Sequence, residues 1–449
     1  MTPTTLAANE VHPPEVAQHG HYDACLPIVE DDDFLEQAVQ DAELPALLAA
    51  LALVNADPSL LADELRPPLP PMDSVIAPQG GMSVEAQQLA RKVAVDALKA
   101  FRDRGSAPAA PPSEEFLARI MRFLTKDASD DYLPLLRHEL GIPNDYGAPA
   151  WKKSEVAPDI DFSVAIIGAG ISGMAAAHRL QQAGIDYTVF EKNTEVGGTW
   201  WENVYPGCRL DTPNFAYSYS FAQKADWPQQ FSVRDEIENY LQDVATNFDL
   251  RPNIEFGTEV TSMSFDDGSG TWTVTTESVD GTRRTRQVNA VITAVGQLNR
   301  PNIPEIAGLD SYAGRWFHSS QWDTSVDLSG LRVAVVGTGA SAYQIVPSIA
   351  GTVAHLSVFQ RNAPWMLPTP TLRISPPAWP GCCVTSRTTA GGFASGSSGL
   401  PPKDVCRSSR PIRSGRRRRA PRRRMRSYDG SCWLISAGSS RVIPTCWRR

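Results

Sequence analysis

Apolar residues follow two different periods along the chain. Up to about residue 150 they recur every three to four positions, for example at Leu44, Leu47 and Leu51, which is typical of one face of a helix. Between about residues 160 and 370 they form short strand-type runs, such as residues 164–167, that alternate with helical patterns. The change of period predicts a helical N-terminal region followed by an α/β region.

The N-terminal region, residues 1–150, contains further helical patterns separated by proline-rich segments. Ser83 suits an N-cap and Gly105 a helix stop for a helix between them. Leu48 belongs to the same predicted helix face as Leu44, Leu47 and Leu51. Two further predicted faces are Ala86, Leu89, Val93, Ala97 and Phe101, and Phe116, Ile120, Phe123 and Leu124. Because no cluster of catalytic residue types occurs here, we expect a packing role or a homodimer contact. A regulatory or partner-binding module is the alternative.

A small antiparallel layer is predicted inside the α/β region. Residues 254–256 and 272–276 alternate like strands on either side of the turn residues 266–270, which is a hairpin signal. Residues 291–296 then have the pattern of a strand that returns to the main sheet.

Composition narrows the function classes. The chain has 449 residues, long enough for two or three domains, and no run of about 18 apolar residues or secretion signal is visible. We therefore expect a cytoplasmic protein without a membrane partner. The seven cysteines show no Cys-x-x-Cys pair and predict no metal site. The net charge of −8 combines +15 from Arg373 onward with −23 on the residues before it, and this acidic body argues against nucleic-acid binding.

The first candidate site is the segment Gly168-Ala-Gly170-Ile-Ser-Gly173, which follows a strand-type run and opens a helical pattern. In this spacing Gly168 makes a tight turn, Gly170 admits a pyrophosphate, and Gly173 lets helix and strand pack closely. A second strand-type run ends about 20 residues on in Glu191, where a carboxylate can accept the ribose hydroxyls. These features together predict dinucleotide binding, with an ordinary glycine-rich turn as the alternative.

A second candidate segment covers residues 196–213. Paired glycines let the backbone run close to a ligand, and Trp rings offer a flat apolar surface to a tricyclic ring system. Gly198, Thr199 and Trp200 are therefore candidate cofactor-binding residues. A turn with core aromatic residues is the alternative.

A second dinucleotide motif follows the run 332–336. Its glycines are Gly337 and Gly339, and Ala342 takes the third position, an allowed variant that still permits close packing. The next strand-type run ends in Arg361, and a cation there suits the 2′-phosphate of NADP. One acid-tipped and one arginine-tipped unit predict FAD and NADPH. A solvated surface charge is the alternative for Arg361.

Between the two motifs lies Tyr312-Ala-Gly314-Arg-Trp-Phe-His318-Ser-Ser-Gln-Trp322-Asp323. This stretch closely resembles the fingerprint of Baeyer-Villiger monooxygenases, in which Phe, Gly, His, Trp and a Pro or Asp recur at this spacing. Tyr312 replaces the Phe, and the other four residues match in type and spacing. The resemblance covers roughly residues 30 to 370, and the N-terminal extension is similar to that of the 4-hydroxyacetophenone monooxygenase type.

The resemblance implies an FAD-binding domain at residues 160–330 and the start of an NADP-binding domain at 331–370. It implies NADPH-dependent insertion of one oxygen atom from O2 next to a ketone carbonyl, aryl ketones included, to give an ester or lactone. Asp211 matches the active-site Asp, with a turn cap as the alternative. His318 would transmit cofactor binding between domains rather than do the chemistry, and Gln344 would bind NADP.

Two other functions fit the same layout. A flavin-containing monooxygenase that oxygenates soft N or S atoms would share both dinucleotide motifs. A non-enzymatic, flavin-binding remnant would keep the motifs without turnover. Substrate oxidation separates the first alternative from a Baeyer-Villiger enzyme, and NADPH-dependent bleaching of the flavin separates the second.

Residues 371–449 depart from the family pattern. They are rich in Gly, Ser and Arg, and the later Lys-Arg element and C-terminal FAD segment of the family are not visible. A disordered low-complexity tail and a basic binding tail are two interpretations. We favour a shifted reading frame, because residues 391–399 and 443–449 can be decoded in one alternative frame as strings that resemble the family. We therefore expect little NADPH-dependent bleaching of the flavin from this chain.

Overall fold

The computed structural model describes residues 27–68, 78–107, 112–125, 131, 133–135, 145, 147–214, 216–224 and 227–364, and the backbone of a strand at 433–437. The chain divides into two compact units. The first contains the described parts of Tyr146–Val196 and Gln242–Val295. The second contains those of Ala24–Asp145, Gly197–Leu241 and Gly296–Arg449.

The N-terminal part of the second unit is helical, as predicted. Its helices are α1 (Asp32–Gln40), α2 (Leu44–Asn55), α3 (Val84–Asp103) and α4 (Glu114–Leu124). Helix α2 is buried on all sides from Leu44 to Val54 and forms the centre of a hydrophobic cluster. The Ser83 side chain accepts the Ala86 N–H at 3.2 Å as the predicted N-cap of α3. At the other end Gly105 has φ +78° and stops the helix as expected.

The buried face of α3 overlaps the predicted one but is shifted by one residue. Phe101 is buried, and Ala86, Val93 and Ala97 pack partly buried against the cluster. Leu89, also expected there, is 42% exposed, while Ala90, Ala94 and Leu98 are fully buried. Alanines occupy both candidate stripes of this helix, so apolar character alone does not choose between them. The small side chains of Ala90 and Ala94 permit a neighbouring helix to approach closely, which places their stripe in the core.

The first unit is built on a parallel sheet with the order β3-β2-β1-β7. After the short helix α5 (Lys153–Val156) come β1 (Ser163–Ile167), α6 (Ile171–Ala183) and β2 (Asp186–Phe190). The later strands are β3 (Ile254–Glu255), β4 (Thr258–Asp266), β5 (Thr271–Ser278), β6 (Arg283–Val288) and β7 (Ala290–Thr293). Strand β7 pairs in parallel with β1, so the predicted return to the main sheet is confirmed.

The antiparallel layer consists of β4, β5 and β6. Strand β3 was predicted to belong to this layer, but it does not. Instead β3 extends the main sheet in parallel with β2, where Ile254 pairs with Val189. A two-residue strand carries almost no periodicity, and burial of its single apolar side chain decides which sheet it joins. The predicted hairpin turn is present between β4 and β5, with the Asp266 carboxylate accepting the Gly268 N–H at 2.7 Å.

The rest of the second unit contains α7 (Thr199–Glu202), α8 (Arg234–Asn247, which continues into the first unit), β8 (Trp316–His318), β9 (Arg332–Val336), α9 (Ala340–Ile349), β10 (His355–Phe359) and β11 (Trp433–Ala437). Strands β9 and β10 are parallel, as a dinucleotide-binding unit requires. Val333, Val335, Ala342, Ile345 and Ile349 form its core.

Strand β11 departs from the interpretation of the tail as disordered at residues 433–437. It lies antiparallel between β9 and β8, in a sheet of order β10-β9-β11-β8. Its sequence, Trp-Leu-Ile-Ser-Ala, contains strand-favouring residues, and the exposed edge of β9 offers unpaired backbone groups. The rest of residues 371–449, including both segments used for the frame argument, lies outside the described residues.

Of the helices that the structure describes, none combines the length and the apolar character needed to cross a membrane.

Candidate functional site

The glycine turn after β1 is closed so tightly that side chains do not fit at two of its positions. Gly168 has φ +99°, and a Cβ on it would lie 2.9 Å from the Ala294 carbonyl oxygen. A Cβ on Gly173 would collide with the Gly168 carbonyl oxygen. The close approach of helix and strand that the motif predicts is therefore present, and it depends on glycine at both positions.

Gly170 is the N-cap of α6 and has an ordinary extended backbone, with φ −77°. It has no side chain, and α6 has no side-chain cap, so the N–H groups of the first turn are not covered by a capping group. The N-terminus of a helix carries a partial positive charge and binds phosphate groups. This end of α6 therefore fits the pyrophosphate of a dinucleotide.

Glu191 lies directly after β2, beside the glycine turn, and its side chain is only 3% exposed. Its Oε2 atom accepts the Ala169 N–H at 2.6 Å, and its Oε1 atom accepts the Asn193 backbone N–H at 2.9 Å. The structure thus brings together the turn and the carboxylate that the sequence predicts to act together. A buried carboxylate at the end of β2 fits the recognition of ribose hydroxyls.

The second unit begins with the paired glycines. Gly197 has φ +118°, and a Cβ there would collide with the Glu238 carboxylate, while Gly198 has φ +54° and is the N-cap of α7. Positive φ angles favour glycine at both positions. Thr199 is the first residue of α7, so the paired glycines lie directly before the start of a helix.

Trp200 is buried and has defined partners. Its Nε1–H donates to the Tyr217 hydroxyl at 3.2 Å, and the two rings meet edge to face. The Arg234 guanidinium donates to the carbonyl oxygens of Trp200 and Trp201 at the C-terminal end of α7. Arg234 was not predicted from the sequence, because nothing in a single arginine at the start of a helix indicates which carbonyls it binds.

The loop from Tyr205 to Asp211 is held against α9 by one side chain. Gln344 Oε1 accepts the Tyr205 hydroxyl at 3.0 Å and the Arg209 N–H at 3.2 Å. Gln344 Nε2 donates to the Arg209 carbonyl oxygen at 2.9 Å. The predicted NADP-binding residue therefore uses both atoms of its amide on this loop.

The same contact is tight at Gly207, where φ is +80°. A Cβ on Gly207 would collide with Ser348 Oγ and would lie 2.5 Å from the Gln344 carbonyl oxygen. Burial raises the pKa of the Tyr205 hydroxyl above its usual range, and it also raises the pKa of the Cys208 thiol. The loop is thus packed against the helix and leaves no space for a side chain at Gly207.

The opposite side of this loop is also fixed. The Leu210 N–H donates to the Ser232 carbonyl at 3.0 Å, and the Arg234 N–H donates to the Cys208 carbonyl at 2.8 Å. Asn214 is fully buried and makes two hydrogen bonds to Ser232. Its Oδ1 accepts the Ser232 N–H, and its Nδ2 donates to the Ser232 hydroxyl. Asp211 lies between these anchors and is exposed. The carboxylate is therefore presented from a loop that is held on two sides.

The second dinucleotide turn repeats the geometry of the first. Gly337 has φ +111° and donates its N–H to the Phe359 carbonyl at 2.9 Å. Gly339 is the N-cap residue of α9, and no side chain caps this end of the helix. Ala342 is 2% exposed and belongs to the core of the unit, where its small side chain permits close packing. Arg361 is exposed and follows the end of β10 by two residues. This end of the unit fits a second dinucleotide.

The fingerprint segment packs onto this second unit. His318 is buried at the end of β8, and its Nδ1 accepts the Ser320 N–H at 3.1 Å, so the neutral ring carries its proton on Nε2. Trp322 meets Phe317 edge to face at 5.2 Å between ring centroids and contacts the hydrophobic core. Hydrogen bonds from Ser325 lower the pKa of Asp323. Three of the matched residues thus have defined structural partners.

Residues 162–380 match the model of the flavin-binding monooxygenase-like family. The chain is 36% identical over 344 residues to an uncharacterized monooxygenase of Sinorhizobium fredii. The matched residues cover 75% of this chain and 50% of that protein. It is 46% identical over 206 residues to a Baeyer-Villiger monooxygenase of Streptomyces coelicolor, covering 46% of this chain and 39% of the relative.

A closed crystal structure of cyclohexanone monooxygenase superposes with a TM-score of 0.45 at 36% identity, covering 48% of this chain and 41% of that one. The chain spans half or less of the length of the two curated relatives described above. The sequence comparisons confirm the predicted resemblance at the level of flavin-binding monooxygenases.

Proposed function

Because residues 162–380 match flavin-binding monooxygenases, we propose that the chain is a Baeyer-Villiger-type flavoprotein that takes FAD and NADPH. The observation that carries this proposal is the glycine turn of the first unit, closed around Gly168 and Gly173 with the buried Glu191 carboxylate beside it. The proposed reaction inserts one oxygen atom from O2 next to a ketone carbonyl and gives an ester or lactone. A dimer contact through the helical region stays a prediction.

The proposed cofactor residues fall into two sets. In the first unit, the α6 N-terminus would bind the FAD pyrophosphate and Glu191 the ribose. In the second unit, the α9 N-terminus and Arg361 would bind NADPH, with the guanidinium on its 2′-phosphate. The residues of both sets are Gly168, Gly170, Gly173, Glu191, Gly198, Thr199, Trp200, Gly337, Gly339, Ala342 and Arg361, with Gln344 acting through the loop that it holds.

Flavin and nicotinamide, when bound, supply the hydride and oxygen chemistry, and the chain supplies binding, orientation and exclusion of water. We propose that Asp211 is the carboxylate of the active site, since its loop is anchored on two sides and its side chain is exposed. His318 is proposed as a positioning residue, because its buried ring is held by Ser320.

Ketone substrates, aryl ketones in particular, are the proposed class. We propose aryl ketones because the N-terminal extension resembles that of the 4-hydroxyacetophenone monooxygenase type. Oxygenation of amines or sulfides by the same cofactors is the alternative. Conversion of acetophenone to an acetate ester, compared with oxygenation of an amine, distinguishes the two.

Gly173→Ala tests the FAD site. The added Cβ would collide with the Gly168 carbonyl oxygen, so we expect the visible flavin absorbance of the purified protein to fall at least roughly tenfold, about 1.4 kcal/mol of binding free energy. Gly351→Ala is the control. Gly351 has no atom within 4 Å of its Cβ position and no left-handed φ, so its variant should keep the flavin. Equal flavin content in both variants would contradict the proposed site.

We further propose a change of reading frame near residue 370. The family match ends at residue 380, and fourteen of the sixteen arginines from Arg373 onward lie between residues 407 and 449. In this proposal, the Lys-Arg element that the family uses beside the flavin is encoded in the other frame.

A further inference from the structure

The contact between the Tyr205–Asp211 loop and α9 joins two parts of the second unit that carry different proposed roles. Gln344 and Arg209 are 135 residues apart in sequence and share two hydrogen bonds. Gln344 Oε1 accepts the Arg209 N–H, and Gln344 Nε2 donates to the Arg209 carbonyl oxygen. A third hydrogen bond comes from the Tyr205 hydroxyl. Bonding to both the N–H and the C=O of Arg209 fixes the orientation of the two peptide groups that flank this residue as well as their distance from the helix.

The loop cannot relax without breaking this contact. The missing side chain of Gly207 allows its backbone to lie against Ser348 and the Gln344 carbonyl. Tyr205 is part of the packing around Ile345 and Ile349. On the other side, Ser232 and Arg234 hold the backbone of Cys208 and Leu210. Asp211 is one residue beyond this double anchor, so the position of its carboxylate follows the position of α9.

We propose that Gln344 is a positioning residue that fixes the Asp211 loop to α9, so that a nucleotide bound at the N-terminus of this helix restrains the Asp211 carboxylate. The inference rests on the proposed function for the roles of Asp211 and of the nucleotide. The loop-to-helix lock itself depends only on the contacts of the chain. Gln344 thus acts on NADP recognition through the loop rather than by offering its amide to the cofactor.

Amide hydrogen exchange, measured by mass spectrometry on the full chain without nucleotide, tests the lock. In Gln344→Leu all three side-chain hydrogen bonds are lost, so exchange in the peptide containing Arg209 should accelerate at least roughly tenfold. Exchange in β9 should stay unchanged. Ser348→Ala is the control on the next turn of α9, because it removes a hydroxyl that binds the Gln344 carbonyl and lies against Gly207 but keeps all three hydrogen bonds of the Gln344 side chain. It should leave the loop protected.

Gln344→Glu gives a graded second variant. Its carboxylate can still accept the Arg209 N–H and the Tyr205 hydroxyl, but it cannot donate to the Arg209 carbonyl. We expect exchange between that of the wild type and that of Gln344→Leu. Acceleration of β9 and the loop by the same factor would mean general destabilisation and would overturn the positioning role. Unchanged exchange of the loop in Gln344→Leu would also overturn it.

Addition of NADP⁺ then tests the coupling. In the wild type we expect slower exchange both at residues 337–342 and in the Arg209 peptide, and in Gln344→Leu only at residues 337–342. Protection at residues 337–342 of the wild type without any response of the loop would overturn the coupling. Protection at neither segment would contradict the proposed NADP site, and the nucleotide-free comparison would still decide the lock.

Discussion

Glu43, at the N-cap of α2, is a carboxyl group whose surroundings disfavour its charge. Burial raises its pKa from 4.5 to about 7, and a hydrogen bond from the Gln79 backbone offsets only part of this shift. The Gln79 side chain closes the same corner by accepting the Leu44 N–H at 2.7 Å and donating to the Ala42 carbonyl at 3.0 Å. The charged form of Glu43 therefore has little solvation at this position.

The raised pKa predicts a pH-dependent stability. Below pH 4.5 the carboxyl is protonated in both the folded and the unfolded chain, and between pH 4.5 and 7 only the folded chain holds the proton. Its contribution is therefore present at low pH and is lost as pH rises through 7, by roughly 2 kcal/mol after allowance for partial exposure. In melting-temperature profiles, wild type and Glu43→Gln should agree near pH 4.5, with the wild type falling below the variant by pH 8. Parallel profiles would contradict the assignment.

Single residues were predictable where one local segment defines the chemistry. The turn at Gly168 and Gly173 and the acid at Glu191 follow from spacing and strand pattern, and the structure places them together. The partners of Gln344 were not predictable in this way. Its contacts lie 135 residues away, and an amide in a helix has the same sequence appearance whether it faces a nucleotide or a loop.

At the scale of elements, the position of the strands and helices followed from periodicity, while their faces and partners did not. The stripe of α3 was wrong by one residue because both stripes contain alanines. Strand β3 was assigned to the wrong sheet because two residues carry too little pattern. In both cases the deciding quantity is the packing distance to an element elsewhere in the chain, which periodicity does not contain.

The corrected face of α3 predicts different costs for two leucines on one helix. Leu98 is 1% exposed and Leu89 is 42% exposed. Leu98→Ala should cost about 2–5 kcal/mol by leaving a cavity, whereas Leu89→Ala should cost less than about 1 kcal/mol. Urea denaturation followed by helical circular dichroism measures both values. Equal losses of unfolding free energy in the two variants, or a larger loss in Leu89→Ala, would contradict the burial of Leu98 and the exposure of Leu89.

At the scale of the whole molecule, charge and family pattern both change in the last part of the chain. Residues before Arg373 carry a net charge of −23, and those from it onward carry +15. The match to flavin-binding monooxygenases ends at residue 380. A single event near residue 370 would account for both changes, and this is the reason for the proposed change of frame.

Resequencing the coding DNA across codons 360 to 450 should show a gained or lost base near codon 370, or an alternative frame that decodes the Lys-Arg element. Expressed as it stands, the chain should show little bleaching of the flavin band by NADPH, because in this proposal the rest of the NADP-binding domain and the Lys-Arg element are encoded in the other frame. The gene with the family frame restored is the matched control and should bleach. Robust turnover by the chain as it stands would contradict the proposal, and so would an alternative frame without the element.

The insertion of β11 between β9 and β8 makes the order of events during folding uneven. β11 follows β10 by roughly seventy residues, and both of its partners precede it, so bringing β11 to them carries an entropy cost before any hydrogen bond forms. Until β11 pairs, β9 and β8 each expose an edge to other chains. Formation of this sheet is therefore slow compared with that of the local helices, and refolding at low protein concentration favours the folded product over aggregates.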